Sequence, residues 1–266
     1  MTSLALDHPR QAFSLDGLRT ASPLLWWTSL AFLALFAMCA ALALVDPRLF
    51  NGISVWVKPA KFYLSMAVHM LTLSFGIMLL PERARISWTV TGVTVTMASM
   101  AILEMAYITF RASRAEPSHF NTSSELAGLL YSLMGAGATA MMVVTAILGV
   151  QILRHGPRSM LTLGTGSSFI LAAFLTLIIG FTLGGMGSHW IGGDRTDATG
   201  LPIFGWSTTG GDLRVAHFAG LHLMQVLPAV ALSGSRKLLV AAGLGGIMLT
   251  IAAYAQALMG LPLIAN

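Results

Sequence analysis

The chain has 266 residues, of which 56% are hydrophobic and only 9% charged, with a mean hydropathy of +0.78. A soluble domain carries roughly 25% charged residues, so this composition excludes a water-facing globular surface and requires lipid as part of the solvent. The formal net charge of +5 comes from basic residues set singly or in pairs between apolar runs, which is the pattern of membrane loop anchors and not of a nucleic-acid surface.

Residues 1–22 are polar and mixed in charge, with Asp7, Arg10, Asp16 and Arg19. The first apolar run, about 23–45, is longer than the apolar core of a secretory signal peptide, so it is expected to remain as a span. It contains the only cysteine, Cys39, which excludes an intrachain disulfide and any cysteine-based metal centre. Further spans are predicted at about 59–80, 88–110, 124–152, 160–183, 213–233 and 238–260. The second opens after Lys58-Pro59, since proline suits a first helical turn. The fourth opens with the capping pattern Thr122-Ser123-Ser124-Glu125. Asp212 is the expected N-cap of the sixth, which Pro228 should kink. Gly180-x-x-x-Gly184 and the trio Gly243, Gly245 and Gly246 predict close helix packing. Trp26, Trp27, Trp56, Trp88, Trp190 and Trp206 fall near span ends, as an interfacial aromatic belt requires. The connection at about 184–212 is glycine-rich and too short to fold alone. The whole of 1–266 therefore reads as one all-α transmembrane domain, a polytopic helical bundle of seven spans.

Orientation rests on the loops. Arg83, Arg85, Arg154, Arg158, Arg236 and Lys237 lie in short, plainly basic connections, whereas the opposite connections are long, mixed in charge and rich in glycine. This predicts a cytoplasmic N-terminus and an extracytoplasmic C-terminus, in the plasma (inner) membrane. Five of the seven histidines then fall on or near the extracytoplasmic side.

Ionisable residues within spans cost free energy and normally face the bundle interior. The clear cases are His69, Glu104, His217 and His222. At 1.5 Å per residue, His69 and His222 both lie roughly 14 Å below the outer surface. His217 and His222 are five residues apart, about 140° around the helix, so they do not share one narrow face. Ser65 sits one turn above His69, where it would orient the ring; Gln225 lies close to the face of His222; and Glu104, Tyr107 and Arg111 form a stripe.

Four functions follow as expectations. The first is a b-type haem or related redox cofactor, with His69 and His222 as axial ligands and Lys58, Lys61, Arg111, Arg114 and Arg214 paired to its propionates. A membrane redox partner would accompany it. The second is a divalent metal site, zinc or copper, on His69, His217, His222 and Glu104. Ser65-x-x-x-His69 on the second span, the acid Glu104 on the third and a late histidine pair resemble the zinc hydrolases of the adiponectin-receptor and alkaline-ceramidase group. That resemblance implies three histidine ligands, a zinc-bound water attacking an amide or ester, and Glu104 in the catalytic acid's place. This chain departs from the pattern in having His-x4-His instead of His-x3-His, on the sixth span and not the seventh, and Glu instead of Asp. The third is a proton- or cation-coupled transporter, and the fourth an accessory subunit of a membrane complex. A retinal photoreceptor is excluded, because Lys58, Lys61 and Lys237 all lie near span ends.

Overall fold

A computed structural model describes residues 14–265; the polar segment with Asp7 and Arg10 lies outside the described residues. The helices are α1 Leu15–Ala21, α2 Pro23–Val45, α3 Val57–Met78, α4 Glu82–Arg85, α5 Trp88–Ser113, α6 Glu125–His155, α7 Met160–Met186, α8 Leu213–Ala231 and α9 Arg236–Leu258. Most begin where a short polar side chain can take an otherwise unpaired backbone N–H. Ser87 accepts from Val90, Ser124 from Ala127, Ser159 from Thr162, Asp212 from Arg214 and Ser235 from Leu238. The start of α3 has no such side chain and relies on Pro59 in its first turn. At its other end, the Arg85 guanidinium donates to the Met78 and Leu80 carbonyls, both at 2.6 Å.

Six helices, α2, α3, α5, α6, α7 and α9, are long and apolar enough to cross a membrane. The chain is thus a helical, multi-pass membrane bundle. Helix α8 is less apolar because Arg214, His217, His222 and Gln225 share its 19 residues. It runs on through Pro228 and packs along α7 and α9. Helix α3 is the central one and touches α2, α5 and α6. Its Ala67, Met70, Leu73 and Ile77 meet Met97, Ala101 and Met105 of α5, Leu148 and Ile152 of α6, and Phe169 of α7 in one buried core.

Glycine sets the approach of α6 to α7, at a place the spacing of Gly180 and Gly184 does not indicate. A Cβ on Gly149 would stand 2.6 Å from the Gly166 carbonyl, and one on Gly166 would stand 2.9 Å from that of Gly149, so only glycine fits either position. Gly180 instead meets nothing within 4 Å, and Gly184 only the Tyr131 hydroxyl at 3.9 Å. On α9, Gly246 packs against Leu223 while Gly243 and Gly245 face open space.

The connections 46–56, 114–124 and 187–212 gather at one end of the bundle and form a cap. Leu49–Phe50 pairs with Ile53–Ser54 around an Asn51-Gly52 turn with both residues at positive φ, the favoured geometry for a two-residue hairpin. Trp190–Ile191 pairs with Gly211–Asp212. Asp46 accepts from Arg48 and from Trp56 Nε1 (2.7 Å), and the Arg48 guanidinium holds its carboxyl well below the usual carboxylate range. Trp56, Trp190 and Trp206 are accordingly built into the cap instead of an exposed belt, which Trp27 and Trp88 do join.

Candidate functional site

Beneath the cap lies a cavity of about 920 Å³, bounded by α3, α5, α6, α7, α8 and the connections 115–120 and 187–197. Most of its wall is apolar, but its polar residues are the ones the sequence marked out. His69, Glu104 and His217 all line it, as do Lys58, Lys61, Ser65 and Arg214. His119 and His189, from the cap, line it as well.

His69 is 6% exposed and is oriented from α6, not by Ser65. Thr145 gives its own hydroxyl hydrogen to the Met141 carbonyl (2.8 Å), so its oxygen accepts from His69 Nε2–H at 3.2 Å. That leaves Nδ1 as the lone-pair nitrogen of the ring. Glu104 is 7% exposed, and its Oε2 has no hydrogen-bond partner among the described residues. His217 Nδ1, His189 Nε2 and the Tyr107 hydroxyl are buried and unpartnered in the same way. Buried polar atoms are nearly always satisfied, so the concentration of Glu104, His189 and His217 around one cavity marks a place that receives a ligand.

The two cap histidines are kept neutral. His119 accepts from Lys58 Nζ (3.3 Å) at Nδ1. Its imidazole is held well below the ordinary histidine range by burial first, then by Lys58, His189 and His217. His189 packs against the Trp190 ring at 3.9 Å. Burial first, and then the Arg214 charge, push its pKa down to about 3. Neutral imidazoles keep the lone pair that ligation of a metal requires.

Several expected partners are engaged elsewhere. His222 does not line the cavity: its ring lies against Phe218 at 4.0 Å and its Nδ1 donates to Gln225 Oε1 (3.2 Å). Gln225 in turn donates to Thr72 (3.0 Å), and Thr72 to the Val68 carbonyl (2.8 Å). This is a satisfied cross-link between α8 and α3, and it agrees with the angular separation of His217 from His222. The axial pairing of His69 with His222 is therefore not assembled across the cavity. Nor do His69, His217, His222 and Glu104 meet at one point, since no three His, Cys, Asp or Glu side chains converge to hold an ion among the described residues. Arg111 and Arg114 both pair with Glu116. Arg214 pairs with Asp212 (2.6 Å) and Asp197 (2.9 Å). Of the five expected cationic anchors, this leaves Lys58 and Lys61 without a carboxylate partner among the described residues; Lys61 donates to the Phe204 carbonyl at 3.0 Å.

Sequence reasoning counted His119 and His189 among the five extracytoplasmic histidines without making them site residues, and it passed over Asp197 and Thr145. The first two stand in the short polar-aromatic strings Ser118-His119-Phe120 and Ser188-His189-Trp190, and that pairing of imidazole with ring was the available signal. Thr145 has none, because nothing in an apolar run shows which threonine a distant helix will reach. The chain matches no protein-family model, no curated protein and no solved structure.

Proposed function

We propose that this chain is a seven-span protein of the plasma (inner) membrane, with α8 as a true span, its N-terminus cytoplasmic and its cap extracytoplasmic. Its cavity holds a histidine-ligated prosthetic group of the size of b-type haem, used in electron transfer with a membrane partner. The observation that carries this reading is the set of imidazoles spread around one cavity of about 920 Å³ with ring nitrogens left unpartnered.

A single divalent ion needs three or four donors at one point. A porphyrin needs one or two imidazoles and fills the remaining space with its own apolar body. Separated histidines in a mostly apolar cavity suit the second requirement. His217 and His189, with His69 Nδ1, are the candidate ligands; Lys58 and Lys61 are the cations free to pair with propionates. When bound, such a group supplies one-electron redox chemistry. The residues of the chain exclude water from it, and Glu104 Oε2 would hold a proton at the cavity wall.

The test is a visible absorption spectrum, with elemental analysis, of protein purified from haem-replete cells. The expected result is a Soret band that is lost in His217→Ala and retained in His222→Ala. A wild-type sample without that band overturns the haem reading, and stoichiometric zinc in its place would transfer the site to metal-dependent hydrolysis.

A further inference from the structure

Helices α6 and α7 run antiparallel and are tightly joined at Gly149 and Gly166. Toward the cap they part. An added Cβ on Gly128, Gly135, Gly180 or Gly185 would meet nothing within 4 Å there, and the Tyr131 hydroxyl reaches Gly184 only at 3.9 Å. The same stretch borders the cavity through Gly135, Ala138 and Met142 of α6 and through Leu177, Gly180 and Phe181 of α7. Phe181 lines the cavity and is nonetheless 63% exposed; Gly135 and Gly184 combine lining and exposure in the same way. A residue that touches both the interior and the surroundings stands on the rim of an opening. Because α6 and α7 carry no charged residue along this stretch, this opening faces lipid.

The interior says what passes through it. Glu104 is buried and unpartnered at Oε2, so the space behind the opening is a ligand site and not a packing fault. The other lining acids, Glu116 and Asp197, are neutralised by arginines. Lys58 and Lys61 are not matched by any acid within ion-pairing distance among the described residues, and both line the cavity. The water-facing side is crossed by the cap, where Lys61 is tied to Phe204 and Asn51 to Asp197.

We infer that the gap between the cap-side halves of α6 and α7 is a lateral port through which an anionic amphiphile enters the cavity from the lipid phase. Its charged head is held by Lys58 and Lys61, and its apolar body lies between the two helices. The inference shares with the haem reading only the premise that the cavity takes an anionic ligand.

The experiment uses the full chain in phosphatidylcholine nanodiscs, with a long-chain fatty acid carrying a diazirine on its tail as the probe. Irradiation should label residues within 133–142 and 177–185, and the methyl ester of the same probe should label them roughly tenfold less. Gly135→Trp and Gly180→Trp should each reduce the labelling by a similar factor. Gly92→Trp, at another glycine whose Cβ would meet nothing but which does not line the cavity, should leave it unchanged. Equal labelling by acid and ester, or labelling indifferent to both port tryptophans, overturns the port. The acid–ester comparison is made on the unaltered protein, so it does not depend on any variant folding. A Soret band read on the same samples reports separately on haem: labelling without the band removes haem and leaves the port, and the band without port labelling does the reverse.

Discussion

The two halves of the α6–α7 pair use the same residue for opposite purposes. At one end Gly149 and Gly166 are glycine because the neighbouring backbone occupies the place of a side chain. At the cap end Gly135 and Gly180 are glycine beside empty space. The difference lies in what surrounds each half. At the closed end Phe169 and Ile152 fill the volume against Gly76 of α3. At the cap end the facing positions of α3, α5 and α8 carry Lys58, Glu104 and His217 around a cavity. Spacing of small residues thus marks permission for close approach, and the neighbouring helices α3, α5 and α8 decide whether that permission is used.

This contrast can be broken most sharply at the closed end. Gly149→Leu should lower stability by about 3 kcal/mol, because the obstructing atom is a backbone carbonyl that cannot turn aside. Thermal unfolding in detergent measures it, and a midpoint equal to wild type would mean the helices are not in contact there. Next comes Glu104→Met, which removes a buried, unsatisfied carboxylate. It should stabilise the ligand-free protein by about 2 kcal/mol. A loss of stability instead would show that Glu104 has a structural partner.

A pH titration of ligand-free protein should show a smaller effect. His119 and His189 resist protonation in the folded state, whereas the unfolded chain takes up protons at the ordinary histidine value of about 6.5. Stability is therefore unaffected above that pH and falls as the pH drops from there toward 3. The slope should be on the order of 1 kcal/mol per pH unit for each histidine. In His189→Gln the slope of melting temperature against pH should become shallower, and an unchanged slope would place the linkage elsewhere. Smallest of all, Gly135→Ala and Gly180→Ala should raise stability by about 0.5–1 kcal/mol, the ordinary gain of alanine over glycine within a helix. If either is destabilising, the cap-side gap is narrower than its glycines indicate.

Composition and run length by themselves determined the membrane class and the approximate place of every long helix. Twenty or so consecutive apolar residues have no other stable arrangement, and Ser87, Ser124, Ser159 and Asp212 cap the helices locally, without reference to the rest of the chain. Sequence also marked His69, Glu104 and His217 as interior, because a titratable group in lipid has nowhere else to go. Only the tertiary structure decided that His222 is satisfied by Gln225 and Thr72, that Arg111 and Arg214 already hold carboxylates, and that two cap histidines complete the cavity. Those outcomes depend on the rotation of each helix about its axis and on the path of the loops. Both are set by packing between residues far apart in the chain, which no local pattern encodes.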